Sequence, residues 1–152
     1  MMQKLFHRDI FIPEGIKEEC KELQRNLTSY IYSKHFQEHL DNQPIENRSH
    51  LYLKDVIAKC LNSIKTQPRQ VFEVELSESE GHWRVTKYCC RIPYNSVQDL
   101  VVAIRPQYQN NVVTTNMIVT AWMNSHEDSH YTLDESKYCS RPEWDAITKY
   151  KI

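Results

Sequence analysis

The chain has 152 residues, about the length of a single domain, with 40% apolar and 26% charged residues. This composition excludes a disordered or fibrous protein and predicts one globular domain spanning residues 1–152. The formal net charge of −1 excludes a generally basic surface, so any nucleic-acid site must be a local group of cations.

Several classes of site are excluded by residues that the chain lacks. Gly15 and Gly81 are its two glycines, so it has neither a dinucleotide-binding turn nor a P-loop, and no cofactor is expected. The five cysteines include no C-x-x-C pair and no zinc-type spacing with histidine, which predicts reduced, mostly buried thiols and a cytoplasmic location. No segment approaches the ~18 apolar residues that span a bilayer, so no membrane contact is expected.

The first half of the chain has the hydrophobic period of helices. An amphipathic stripe predicts a helix over residues 14–27, and Ser33 is the predicted N-cap of a helix over residues 34–41. A third helix is predicted over residues 50–64. Residues 1–29 form an N-terminal helical extension in this interpretation.

The second half alternates between apolar and polar residues, as strands do. Alternating segments cover residues 71–76, 83–92, 100–104 and 112–124, with turn residues between them. Helices first and strands afterwards predict an α+β fold, with N-terminal helices packed on a four- to five-stranded antiparallel sheet.

The last predicted strand has two distinct faces, because side chains alternate along a strand. We assign to the core, under the helices, Met117, Val119, Ala121 and Met123. The other face then carries Ile118, Thr120, Trp122 and Asn124.

An earlier strand carries two cations on one face, Lys87 and Arg91. If these point to the same side of the sheet as Thr120 and Asn124, they form a cationic site the size of a phosphate group without any glycine-rich loop. The alternative is that Lys87 and Arg91 are the solvated charges of an exposed strand.

Histidines occur at two points that suit catalysis. His35 and His39 are four residues apart on a predicted helix, but no third ligand is near, so metal binding is not expected. His126, Asp128 and His130 crowd the turn that follows the last strand, where polar residues also serve solvation.

Three segments carry motifs that are found together in one grouping of ribonucleases. Residues 32–36, YSKHF, resemble the Y-S-x-H segment of phage RegB-type endoribonucleases, which have the RelE-like fold. Residues 85–94 and 120–138 are similar to the v-x-K-x-x-x-R-x-P-Y strand and the T-x-x-x-N…D-x-H-x-T-L-D-x-x-x-Y ending of BECR-type toxin ribonucleases, the grouping of barnase and RelE. Phe36 and His39 depart from the pattern, which has a small residue and an arginine in that helix. The TLDE of residues 132–135 also fits a helix capping box.

The resemblance implies a RelE- or barnase-like, metal-independent endoribonuclease that cleaves single-stranded messenger or transfer RNA in the cytoplasm of a bacterial host cell. Attack of the ribose 2′-hydroxyl would leave 2′,3′-cyclic phosphate ends, and histidine suits the acid and base because its pKa is about 6.5. Toxin and phage-regulator roles are both open. Implied partners are RNA, the ribosome, and an antitoxin or immunity protein.

The resemblance also implies a role for each candidate residue. His35 and His130 are the expected acid and base, in either order, and Lys87 and Arg91 the expected phosphate ligands. The remaining expected site residues are Thr120 and Tyr138 as orienting donors, Trp122 and Tyr94 as base-stacking rings, Asn124 as a substrate contact, and Asp134 as a group that orients a histidine.

Two other functions are compatible with the sequence. A RelE-like scaffold can bind RNA or a protein without cutting, as a phage regulator or inhibitor, because a fold does not dictate a function. A DNA-directed or metal-dependent nuclease is the third, but the chain lacks the clustered carboxylates that it needs. Cleavage of RNA in EDTA would separate the three.

Overall fold

Apolar spacing accounts for the helices that pack on one side of the molecule. The computed structural model describes residues 3–7, 12–42, 49–79 and 82–125. The helices of this part of the chain are α1 at Glu14–Arg25, α2 at Lys34–Asp41 and α3 at Ser49–Ser63. Within these ranges, no helix is long and apolar enough to cross a bilayer.

The amphipathic stripe of α1 faces the core as its period predicts. Ile16 and Cys20 are buried, and Leu23 packs partly buried against the same cluster. Leu27, two residues past the end of the helix, is buried there too. Pro13 starts the helix, since its carbonyl accepts hydrogen bonds from the first available backbone N–H groups.

Ser33 joins α2 to the sheet. Its hydroxyl oxygen accepts a hydrogen bond from the N–H of Phe36 at 3.1 Å, which confirms the predicted N-cap. The same hydroxyl donates to the carbonyl of Val119 at 3.0 Å, and the Ser33 N–H donates to the carbonyl of Ile118. One side chain therefore sets both the start of the helix and its position on the last strand.

The strands form a single mixed sheet. They are β1 at Gln3–His7, β2 at Tyr30–Tyr32, β3 at Val71–Ser79, β4 at His82–Pro93, β5 at Gln98–Gln109 and β6 at Val112–Ser125. Their spatial order is β1-β3-β4-β5-β6-β2 among the described residues. Neighbours are antiparallel except β2 and β6, which pair in parallel over three residues.

The α+β class and the antiparallel meander β3 to β6 are confirmed. The predicted four- to five-stranded antiparallel sheet is confirmed only in part, because the described sheet has six strands and one of its pairs is parallel. Gln3–His7 pairs with β3, although residues 1–29 were expected to be helical. Tyr30–Tyr32 adds a parallel edge strand. Both segments are too short to show a period of their own. Their pairing partners lie 66 to 74 residues away in sequence for β1 and 86 residues away for β2.

A β-bulge in β6 changes which side chains face the helices. Thr120 lies opposite Ala103 and Ile118 lies opposite Ile104, so Val119 is an extra residue without a partner on β5. Ile118 is fully buried in the core under the helices, whereas Val119 packs against a cluster on the other face.

The bulge decides which of the predicted faces are right. Ala121 and Met123 face the helices as predicted. The assignment of Val119 and Met117 to the core, and of Ile118 to the other face, is wrong because strict alternation fails at the bulge.

Gln24 ties α1 to the segment that leads into the sheet. Its side chain is fully buried, accepts a hydrogen bond from the N–H of Arg69 at 2.6 Å and donates to the carbonyl of Arg69 at 2.8 Å. The amide side chain thus satisfies one backbone donor and one backbone acceptor 45 residues away in sequence.

Replacing Gln24 with alanine should lower the free energy of unfolding by about 2–4 kcal/mol, because both backbone groups of Arg69 lose their partner. Urea unfolding of the purified protein measures this. The matched control is Gln37→Ala, which removes an exposed hydrogen bond to Asp41 within α2 and should cost less than ~0.5 kcal/mol. Equal losses in the two variants would contradict the tether.

Candidate functional site

Alternation along β4 divides its side chains between the two faces of the sheet. Tyr88 and Cys90 are fully buried in the core under the helices. Lys87, Cys89 and Arg91 therefore point to the opposite face, which we call the outer face. Cys89 joins a separate apolar cluster there with Phe72, Val101 and Ala103.

The register of β5 and β6 adds polar groups to the outer face. Thr120 lies opposite Ala103, Trp122 opposite Val101, and Asn124 opposite Asp99. Lys87 and Arg91 thus share a face with Thr120, Trp122 and Asn124. The sequence predicted a cationic site the size of a phosphate group on the condition that the two cations share a face with Thr120 and Asn124.

In the described part of the chain, three cations of the outer face are each held by a carboxylate. Lys87 Nζ lies 3.4 Å from Glu73, Arg91 Nε lies 3.3 Å from Asp99, and Arg105 lies 3.0 Å from Glu75. Glu73 and Glu75 are each 7% exposed and Asp99 5% exposed. Lys87 and Arg91 are therefore not the freely solvated charges of an exposed strand.

The carboxylates are what sequence reasoning missed. Glu73 and Glu75 are two residues apart on β3 and so share a face, and β3 pairs with the strand that carries Lys87. That spacing could have identified Glu73 and Glu75 from the sequence as carboxylates of the same face. Arg105 reaches Glu75 from β5, across the intervening β4, and only the strand order reveals it.

Arg91 marks the end of the sheet from which the chain leaves β6. Its Nη2 donates to the carbonyl of Ser125, the last residue of β6, at 2.9 Å, while its Nε contacts Asp99. His130 follows Ser125 by five residues, a span of at most about 18 Å even if extended. Arg91 therefore contacts the residue that directly precedes the histidine-rich segment, although the two are 34 residues apart in sequence.

Tyr94 lies at the same end of the sheet but on the other side. It packs partly buried against the core under the helices, and Lys59 Nζ of α3 lies 5.5 Å from its ring centroid. Tyr94 is the first residue of the β4–β5 turn. Within this turn, Asn95 Oδ1 accepts hydrogen bonds from the N–H groups of Val97 and Gln98. Tyr94 therefore lies on the helix side of the sheet. It does not line the outer face, where it was expected to stack a base.

His35 is not brought to Lys87 and Arg91. It is exposed on α2, and α2 packs through Phe36 and Leu40 into the core on the helix side of the sheet. His39 stacks on Phe36, with ring centroids 6.4 Å apart, and the described residues contain no group of three ligands arranged to hold a metal ion.

Three of the predicted site residues, His130, Asp134 and Tyr138, lie outside the described residues, as do His126 and Asp128. Comparison of the chain with protein-family models, curated proteins and solved structures gives no match.

The cysteines of the described residues are buried and form no disulfide, as predicted: Cys20, Cys60, Cys89 and Cys90. Burial raises the pKa of Cys89 well above its ordinary value; Glu73 adds to the rise and Lys87 opposes it. Burial likewise raises the pKa of Cys90 to about 12 and that of Cys60 to about 11. Cys89 thus lies on the candidate face without being a nucleophile at neutral pH.

Removing one partner of the Arg91–Asp99 pair should leave the other charge buried and unpaired. We expect Arg91→Met to lower the free energy of unfolding by about 2–4 kcal/mol, and Arg91→Met with Asp99→Leu to cost less than the sum of the single changes. Urea unfolding of the four proteins gives the coupling. Arg25→Met, which breaks an exposed pair with Glu22, should cost at most ~1 kcal/mol. Strict additivity would show that the pair is not coupled.

The raised thiol pKa values predict a loss of stability in alkali. The unfolded chain releases these protons near the ordinary pKa of 9.0, whereas the folded chain retains the Cys90 proton to about 12. The free energy of unfolding should therefore fall between pH 9 and pH 11, by up to ~1.4 kcal/mol per pH unit for each such thiol. Urea unfolding in reductant at several pH values measures the slope. Cys90→Ala should reduce that slope, and an unchanged slope would contradict the assignment.

Proposed function

We propose that the protein is a metal-independent endoribonuclease that cleaves single-stranded RNA at the outer face. The observation that carries the proposal is the common face of Lys87, Arg91, Thr120, Trp122 and Asn124. Cations, a hydroxyl, an amide and an indole ring are the groups that bind a phosphodiester and an unpaired base.

The reaction needs charge stabilisation and proton transfer but no metal ion. The ribose 2′-hydroxyl attacks the adjacent phosphorus, the bond to the 5′-oxygen breaks, and a 2′,3′-cyclic phosphate remains. Lys87 and Arg91 would stabilise the negative oxygens of the phosphorane, and Thr120 would donate a hydrogen bond to one of them. Trp122 would stack a splayed base, with Asn124 contacting its edge.

The carboxylate partners give the cations a fixed direction before RNA binds. Asp99 and the Ser125 carbonyl hold two sides of the Arg91 guanidinium, and Glu73 holds Lys87. Groups oriented in advance stabilise developing charge without reorganising during the reaction. The pairing is therefore compatible with catalysis, although it lowers the net positive charge of the face.

Proton transfer is assigned to the segment after β6. His130 is our first choice for one of the two groups, with Tyr138 as a donor and Asp134 orienting the histidine. Because His35 lies on the helix side of the sheet, its part as the second group requires the RNA to pass around the sheet edge. The variants described below test whether His35 is the second proton-transfer group.

The wider classification belongs to the same proposal. Helices that precede an antiparallel meander, together with the three motifs, support a RelE-like or barnase-like ribonuclease. Under this proposal the protein acts in the cytoplasm of a bacterial cell as a toxin or a phage regulator. RNA is its substrate, with the ribosome and an antitoxin or immunity protein as candidate partners.

A second function, a module that binds RNA or protein without cutting, is favoured by one observation. Every cation described above on the outer face is matched by a buried carboxylate, which leaves this group of six side chains without net charge. Such a face binds polyanions less strongly than an unpaired cluster does, so the observation favours the protein-binding form of this module.

Wild-type protein incubated with total cellular RNA in EDTA should produce fragments that end in 2′,3′-cyclic phosphate. His130→Ala should lower the cleavage rate by at least ~100-fold, the typical contribution of a general acid or base. Arg91→Lys, which keeps the charge but loses the forked donor geometry, should lower it by about tenfold or more. Mapping of the fragment ends by sequencing, after several times of incubation, measures the cleavage rates of both variants.

The matched controls are His39→Ala and Arg25→Lys, which change exposed residues of α2 and α1 and should cleave at the wild-type rate. A loss in His35→Ala as large as that in His130→Ala would make His35 the second proton-transfer group. RNA left intact by wild type would favour the binding module, and cleavage only with added Mg²⁺ would favour a metal-dependent nuclease.

A further inference from the structure

One edge of the sheet is formed by a strand of three residues. β2 is the last strand in the sheet order, and its one neighbour among the described strands is β6. The carbonyl of Ser29 accepts a hydrogen bond from the N–H of Asn116 at 3.2 Å, and the N–H of Ser33 donates to the carbonyl of Ile118 at 2.9 Å. The residues on either side of β2 are therefore bonded to β6.

These two bonds determine which backbone groups remain at the open edge. Successive residues of a strand direct their N–H and C=O groups to alternate sides. Because Ser29 and Ser33 bond to β6, Ile31 does so too, and the groups of Tyr30 and Tyr32 point away from the sheet. No strand in the described part of the chain pairs with these two donors and two acceptors. An edge of this kind is a template for a further strand.

The open edge is fixed in place by side chains at both ends. Asn116 Nδ2 donates to the carbonyl of Ser29 at 3.0 Å, and the Ser33 hydroxyl donates to a carbonyl of β6 at 3.0 Å. The Tyr30 and Tyr32 rings contact each other edge to face, with centroids 5.9 Å apart, and pack against the core under the helices. A strand that is ordered in advance loses little conformational entropy when it pairs.

The central side chain of the strand is apolar and exposed. Since Tyr30 and Tyr32 pack on the helix side, Ile31 points to the other side of the sheet, where it is 50% exposed. The segment Tyr-Ile-Tyr contains neither a charge nor a proline, the residues that commonly keep an edge strand from pairing. One strand laid along β2 would satisfy the open backbone groups and also cover Ile31.

We propose that β2 pairs in antiparallel fashion with β2 of a second copy of this chain, around a two-fold axis at Ile31. Tyr30 of each copy then lies opposite Tyr32 of the other, in the hydrogen-bonded positions, and all the open groups are satisfied. Ile31 lies opposite its own copy in the non-hydrogen-bonded position, where side chains approach most closely.

The second copy is the occupant that the edge itself specifies. The partial positive charges of the N–H groups meet the partial negative charges of the C=O groups at the same spacing, and an apolar side chain meets an identical one, as in other two-fold contacts. Three residues from each copy make a small interface, so the association is weak and reversible. The contact lies at the edge, with β5 and β6 between it and the strand that carries Lys87 and Arg91, and it goes beyond the proposed RNA cleavage.

Amide hydrogen exchange tests the contact by NMR on the ¹⁵N-labelled full chain in reductant, at about 20 µM and about 1 mM protein. The amides of Tyr30 and Tyr32 should exchange at least ~threefold more slowly at the higher concentration, because pairing protects them. The amide of Ser33 is the matched control, since its bond to β6 lies within one copy, and its rate should not change. Sedimentation equilibrium should show a dimer over the same concentration range.

Two lysine variants locate the interface. Ile31→Lys should raise the dissociation constant of the dimer at least ~tenfold, because it removes the apolar contact and places like charges opposite each other. Val97→Lys changes a side chain of the β4–β5 turn that is 62% exposed, and it should leave the dissociation constant unchanged.

Three results would overturn the proposal. These are a monomer at both concentrations, exchange of Tyr30 and Tyr32 that does not depend on concentration, and a dimer that Ile31→Lys weakens no more than Val97→Lys does. The wild-type exchange rates decide the question even if Ile31→Lys fails to fold. RNA cleavage by the wild-type protein has no bearing on any of these measurements.

Discussion

The pairing of cations with buried carboxylates across the outer face is the constraint on which the candidate site depends. A charged side chain removed from water costs several kcal/mol unless a partner compensates it. Glu73 and Asp99 meet that condition only when β3, β4 and β5 lie in the observed register, because each pair joins neighbouring strands diagonally. The strand register therefore sets the position of Lys87 and Arg91, and any chemistry on this face follows from it.

An apolar cluster lies between the charged pairs. Phe72, Cys89, Val101 and Ala103 keep water out of the centre of the face, with Trp122 packed against them. Lower local polarity strengthens both the ion pairs and any hydrogen bond to a bound phosphate. The same surroundings keep the Cys89 thiol protonated, so the face combines strong fixed charges with an unreactive sulfur.

Arg91 links three strands at one end of the β5–β6 hairpin. From β4, its Nε contacts Asp99 of β5 and its Nη2 donates to the carbonyl of Ser125 at the end of β6. The histidine-rich segment begins at the next residue along the chain. The register that positions Arg91 therefore also positions the end of β6 from which that segment continues.

The sequence by itself determined the type and order of the three helices and of the meander, the N-cap at Ser33 and the burial of the described thiols, because these depend on the local sequence pattern. It left open whether Lys87 and Arg91 share a face with Thr120 and Asn124, and the strand register decided that. Only the tertiary structure decided that Gln3–His7 and Tyr30–Tyr32 complete the sheet, and that the bulge at Val119 turns Ile118 into the core. It also decided that carboxylates hold the cations of the outer face and that His35 lies on the helix side of the sheet. Strand pairing, bulges and ion pairs between strands are non-local, and no repeat within a short segment encodes them.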